Sequence, residues 1–237
     1  MATSSVAAET SQISESEGID RLLLTAIVAL FALAIRAIWF TPVDAMLGAV
    51  QKIFYLHVPS AIVGMYVGCG LLVAASLGYL WIKDDRLDRL AESSAELSLL
   101  FMGIVLVTGP IWGRSSWGTW WAWEARITST LFLWLLVLGY LVLRGAVDGS
   151  ESRARLSAVM GTLAAALVPF IHLTVRLFRG MHPGAVVLKP EAPSLPTEMR
   201  ITFGLATASF LLLFAALLRA RMRWASQRDA RAYLEKV

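Results

Sequence analysis

The sequence predicts an all-α integral membrane protein, a six-transmembrane-helix bundle with a tryptophan-rich segment on its outer side. Three observations predict it. Apolar residues make up 57% of the 237-residue chain and charged residues only 16%, against about 45–50% and about 25% in soluble domains. The apolar residues gather into six runs, each of a length suited to a bilayer core about 30 Å thick, which asks for roughly 17–25 residues per helix. These runs lack the period-2 alternation of a membrane β-barrel, and Leu, Ala and Met dominate them.

Taken in order, residues 1–21 are Ser/Glu-rich and low in hydrophobicity, which predicts a disordered cytoplasmic tail. The tail is acidic and precedes a run long enough to span, so it does not resemble a secretory signal. The spans are expected at 22–40, 58–82, 97–113, 127–143, 156–175 and 201–218. One membrane domain then covers 22–218, and 219–237 is a basic cytoplasmic tail. Lys and Arg set the orientation. The two tails with segments 83–96 and 144–155 carry thirteen, whereas 41–57, 114–126 and 176–200 carry seven. The richer set is expected in the cytoplasm, with both termini inside. Arg36, near the outer end of the first span, is expected to snorkel.

Several functions are excluded on composition. The single cysteine, Cys69, leaves no disulfide framework, no Cys-based zinc site and no Cys-x-x-Cys-His haem attachment. Basic residues lie scattered between apolar runs without forming a stripe, so nucleic acid is not an expected partner. Segments 83–96 and 144–155 hold no Gly-rich phosphate loop, so any ATP dependence comes from another subunit.

The unusual chemistry gathers on the outer side. Trp112, Trp117, Trp120, Trp121 and Trp123 fall within twelve residues, too dense for an interfacial belt, which places one or two aromatics at a helix end. A helix over 117–128 puts Trp117, Trp120, Trp121, Glu124 and Thr128 on one face. An indole surface with one carboxylate suits a large flat apolar ligand with polar edges. His57 shares the apolar helical face of Val43, Met46, Leu47, Val50, Ile53 and Phe54, just before Pro59 opens the second span. His172 lies about one turn inside the fifth span and is expected to hydrogen-bond within the bundle. His182 occupies the turn Arg179-Gly180-Met181-His182-Pro183-Gly184, which presents its ring. Neutral imidazoles are the usual axial donors to haem iron. Arg114, Arg126, Arg176 and Arg179 border the region, and guanidinium pairs carboxylates such as haem propionates.

The segment Trp117-Gly118-Thr119-Trp120-Trp121-Ala122-Trp123-Glu124-Ala125-Arg126-Ile127-Thr128 resembles the WGxxWxWDxRLT signature of the haem-handling membrane proteins of cytochrome c maturation. Tyr55-Leu56-His57-Val58-Pro59-Ser60-Ala61 is similar to that family's histidine segment. With six spans and a histidine in the last outer loop, nearly the whole chain resembles the haem exporter protein C family. Glu124 stands where the signature has Asp, and Ile127 where it has Leu.

The resemblance implies His57 and His182 as iron ligands, with Trp117, Trp120, Trp121, Trp123, Glu124 and Arg126 around a transient, non-covalent, b-type haem on the periplasmic side of the bacterial inner membrane. His182 is preferred to His172 because its loop precedes the sixth span. The implied partners are an ABC ATPase subunit, its membrane permease subunit, a small single-span accessory subunit and a periplasmic haem chaperone. The implied activity is binding and transfer, with no catalytic residue. Loop 176–200, stiffened by Pro183, Pro190, Pro193 and Pro196, is expected to move His182 off the iron at handover. The competing readings are a membrane redox protein with b-type haem and a permease or scaffold subunit that binds no haem. Histidines confined to one side disfavour the redox reading.

Overall fold

The computed structural model describes residues 2–184 and 195–235, with side chains described from Gly18 onward except Ile19. Lys189, Pro190 and Pro193 lie outside the described residues. Among the described residues there is no strand beyond one isolated bridge, Asp44 with Gly48, and six helical segments are long and apolar enough to cross a membrane. They are Asp20–Phe40, Ala49–Ile82, Asp85–Trp117, Ala125–Ala146, Ser150–Leu177 and Thr197–Leu234. Each contains one expected span, so the all-α, six-helix reading holds.

The helices outrun the apolar runs, and the reason is the same at most ends. Helix α1 (Ala2–Phe40) continues back through the tail for which disorder is expected. That tail has no Pro, and its Ala, Glu and Gln extend a helix already nucleated by the first span. The second span starts at a 3-10 turn, Ala49–Ile53, and runs through α2 (Phe54–Ala61), a π-helical stretch (Ile62–Gly68) and α3 (Cys69–Ile82). Pro59 therefore lies inside α2 and does not open the span.

Only Lys83 and Asp84 separate α3 from α4 (Asp85–Trp117). Asp84 caps α4 by accepting the Arg86 N–H at 2.8 Å, with Asp85 and Asp88 in the first turn, where carboxylates suit the helix dipole. The segment 83–96, expected as a loop, is thus mostly helix, exposed at its start and buried over 91–95. Likewise only Val147–Gly149 separates α5 (Ala125–Ala146) from α6 (Ser150–Thr162). The fifth span breaks at Leu163 before α7 (Ala164–Leu177), and α8 (Thr197–Leu234) runs on through the basic tail.

Helix α4 lies in the middle, packed against α2, α3, α5 and α8, while α1 rests chiefly on α8. Small residues bring α4 close to the second span, as membrane helix packing favours. A Cβ at Gly64 would stand 2.9 Å from the Met102 backbone nitrogen, and one at Gly68 would overlap the Ser98 hydroxyl. The π-helical stretch coincides with these two glycines. Leu72, Met102, Leu133, Val137, Tyr140 and Ile171 fill the largest core cluster.

At the bundle end away from the Trp segment 112–123, charge meets charge. Arg144 donates to Asp88 at 2.5 and 2.8 Å and to Glu92 at 3.2 Å, and Arg228 donates to Glu92 at 2.7 and 2.9 Å. Arg221 pairs with Glu96, and these pairs tie α4 to α5 and α8.

Candidate functional site

His57 is placed by α2 and set by α4. Its Nδ1 lies 2.9 Å from the Thr108 Oγ1. That hydroxyl has one proton and gives it to the Ile104 carbonyl at 2.7 Å, one helical turn back. The Thr108 oxygen must therefore accept, and His57 must donate from Nδ1. Its Nε2 is left as a bare lone pair. Gly109 makes room for the ring, since a Cβ there would stand 3.3 Å from His57 Cε1. Trp112 meets it edge-on at 5.7 Å between ring centroids.

The Trp segment is not one helical face. Helix α4 ends at Trp117 because Gly118 takes φ 77°, a left-handed conformation that glycine adopts without a Cβ penalty. Its N–H bonds the Arg114 carbonyl at 3.1 Å, and Arg114 turns back onto the Gly118 carbonyl. Residues 119–124 are irregular until α5 begins at Ala125. The expected single face over 117–128 is thus replaced by a turn, which splits the indoles. Trp117, Trp120 and Trp121 line one cavity with Trp112. Trp123 is 79% exposed, meets Trp121 edge-on at 5.6 Å, and borders a shallow outer groove with Arg179.

His182 is held by its neighbours in the turn that follows α7. The Glu124 Oε2 accepts the Met181 N–H at 2.6 Å and the His182 N–H at 3.3 Å. His182 Nδ1 lies 2.9 Å from the Pro183 carbonyl, which can only accept, so Nδ1 carries the proton here too. Nε2 is again bare. Burial holds this imidazole down at about 4, the Arg126 guanidinium pushing the same way, with the Pro183 carbonyl and Glu124 opposing. Trp117 lies 6.3 Å from it between ring centroids.

The cavity has a volume of about 350 Å³ and is lined by all three histidines, His57, His172 and His182, together with Arg126. His172 Nδ1 is hydrogen-bonded to the Tyr66 hydroxyl at 2.9 Å. The indole Nε1 of Trp112 and Trp121, the Arg126 Nη1 and the Thr128 hydroxyl are buried with no partner among the described residues. Unmet buried donors are rare, and each calls for an explanation such as an unseen ligand. Of the residues singled out in sequence, Trp123, Arg114 and Arg179 lie off this cavity, and Glu124 touches the His182 turn. Thr108 and Tyr66 emerge only from the fold, although Thr108 sits four residues before Trp112, one turn along the same helix.

Comparison with known proteins covers almost the entire chain. The family model described as heme exporter protein C matches residues 3–235. Proteins named heme exporter protein C are similar to it in Haemophilus influenzae, 35% identical over 204 residues, 84% of this chain and 82% of that protein, and in Bradyrhizobium diazoefficiens, 36% identical over 201 residues, 85% and 76%. The protein of that name in Escherichia coli K12 is 35% identical over 202 residues, 84% of this chain and 80% of its own. With a six-helix membrane fold and a match from one end of the chain to the other, this chain belongs to the heme exporter protein C family.

Proposed function

We propose that this protein holds haem in the cavity between His57 and His182, at the periplasmic face of the bacterial inner membrane, and delivers it to a periplasmic haem chaperone during cytochrome c maturation. The observation that carries this reading is the pair of imidazoles. Both commit Nδ1 to a neighbouring oxygen, which leaves Nε2 free, and both line one indole-walled cavity. A hydrogen bond on the far nitrogen is what fixes tautomer and ring orientation in a metal-ligating histidine.

The residues present fit such a cargo. Haem iron offers axial positions to imidazole nitrogen. Trp117, Trp120 and Trp121 give the macrocycle flat apolar contact, and the unpartnered Arg126 Nη1 supplies a donor for a propionate. The lone thiol, Cys69, is buried in the bundle, which supports non-covalent attachment, and delivery to a chaperone requires that it be transient. Trp123 and Arg179 form the surface that the chaperone meets. An ABC ATPase subunit, its permease subunit and a small single-span accessory subunit complete the complex, and the ATPase provides the energy that this chain, with no phosphate loop, does not. The chain itself makes and breaks no covalent bond.

The test is the absorption spectrum of the purified protein loaded with haem. A low-spin spectrum is expected, lost on His57→Ala or His182→Ala and kept on His172→Ala. An exchange of the two last results would make His172 the ligand, and a wild-type protein that retains no haem would overturn the reading. Orientation is tested with cysteines at Ser115 and Ser150 in a Cys69→Ser background. Ser115 lies at the tryptophan end and Ser150 at the opposite end. In intact cells a membrane-impermeant thiol reagent is expected to label the first alone.

A further inference from the structure

Glu124 joins two segments that the sequence leaves separate. It occupies the N-cap position of α5 in an extended conformation, yet its side chain makes no bond to that helix. The shorter Asp at this position ordinarily accepts from the free N–H groups of its own first turn. Here Oε2 instead accepts the N–H groups of Met181 and His182, in the turn after α7. Gly180 lies tight against the same carboxylate: a Cβ there would overlap Oε2 and stand 3.2 Å from Cδ. No other hydrogen bond from elsewhere in the described chain reaches residues 179–184.

We propose that Glu124 is a positioning residue, a clamp that holds the His182 turn against the Trp segment and so sets His182 in the cavity. Two charge-assisted hydrogen bonds on consecutive backbone N–H groups fix the direction in which the following side chain leaves the chain. The Gly180 contact leaves no space for the carboxylate to be replaced by a bulkier arrangement. Since Trp120, Trp121 and Glu124 belong to one irregular stretch, anchored to α5 at the Glu124 carbonyl, displacing that stretch pulls on the His182 turn. Contact of a partner with the exposed Trp123 thereby acts on the ligand loop through Glu124.

The spectroscopic arm of the test rests on His182 being a haem ligand; the apo arm does not. In the haem-free full-length protein, Glu124→Ala is expected to speed tryptic cleavage after the exposed Arg179 about tenfold, the scale of losing hydrogen bonds to a charged acceptor. Glu124→Gln, whose amide oxygen still accepts, gives a smaller increase. Gly180→Ala, which crowds the carboxylate from the other side, gives an increase like that of Glu124→Ala. In the haem-loaded protein, Glu124→Ala converts the low-spin spectrum to five-coordinate high-spin, and added imidazole restores it because the cavity is intact. Unchanged cleavage in Glu124→Ala and Gly180→Ala overturns the clamp whether or not haem binds. A wild-type protein without haem overturns the functional reading and leaves the clamp to be decided by proteolysis.

Discussion

At one end of the bundle Arg144 meets two carboxylates within hydrogen-bonding distance; at the other, Arg126 meets none among the described residues. Both guanidiniums sit on α5, one near each terminus. The first is 5% exposed and ties α5 to α4, and Glu92 passes the tie to Arg228 on α8. The second borders a cavity whose Trp112 and Trp121 indole donors are also unpartnered. Unmet buried donors destabilise a folded chain. One end of α5 is thus held by carboxylates, and the other brings a guanidinium with no carboxylate partner among the described residues to a cavity, a separation of bundle-holding charge from cavity-facing charge.

Substitutions can break that separation, and the largest effect is expected where charge meets charge. Glu92→Ala leaves Arg144 and Arg228 short of a partner, and losing one member of a buried ion network costs about 3–5 kcal/mol. Thermal unfolding in detergent is expected to show this, with haem bound per folded molecule unchanged. A loss of haem affinity at unchanged stability would erase the contrast. Next in size, Trp117→Ala removes the indole beside His182 and is expected to weaken haem binding by up to about 3 kcal/mol, below the core large-to-Ala range of about 3–5. Trp120, 60% exposed, contributes less. Equal haem content in both variants would return the tryptophans to an interfacial role.

Trp121→Phe sharpens the comparison because its two effects have opposite signs. Removing the unpartnered Nε1 is expected to raise apo stability by about 1 kcal/mol while lowering haem affinity. A fall in apo stability would mean that the donor is already satisfied. The last effect is local to one turn. With the His182 imidazole held at about 4 against an ordinary 6.5, the folded turn keeps it neutral while the unfolded chain takes up a proton. Stability is therefore full above pH 6.5 and falls as pH drops from 6.5 toward 4. Proton NMR of His182 in the apo protein is expected to titrate near 4, and a midpoint above 6 would put the ring in water.

The fold was legible because bilayer thickness imposes itself on every span, and six runs became six helices. Their ends were less so. Charges in 83–96 read as a solvated loop, but Asp88 and Glu92 are paired across helices, and no single-chain pattern announces a partner that far along the sequence. In the tryptophan segment helical spacing over 117–128 competes with Gly118, whose left-handed φ stops the helix. The histidines stood out by type, by place along the chain and by the resemblance, and the structure brings all three to one cavity. What no reading along the chain supplies is Thr108, because its bond to His57 depends on the register between α2 and α4.

That register has a mechanical side. Glu92, held by Arg144 and Arg228, and Thr108, which orients His57, belong to the same uninterrupted helix. Their sixteen-residue separation is about 24 Å of helical rise. An α-helix transmits axial displacement like a push rod, so a slip of α4 forced at its charged end arrives at the Thr108 hydroxyl almost undiminished. A slide of about 2 Å across a 2.9 Å hydrogen bond lengthens it to about 3.5 Å, beyond useful length. The ring then loses the oxygen that fixes its tautomer, and a bare Nε2 becomes one alternative among two. The handhold for such a push is the cluster of arginines and carboxylates on the far side of the bundle.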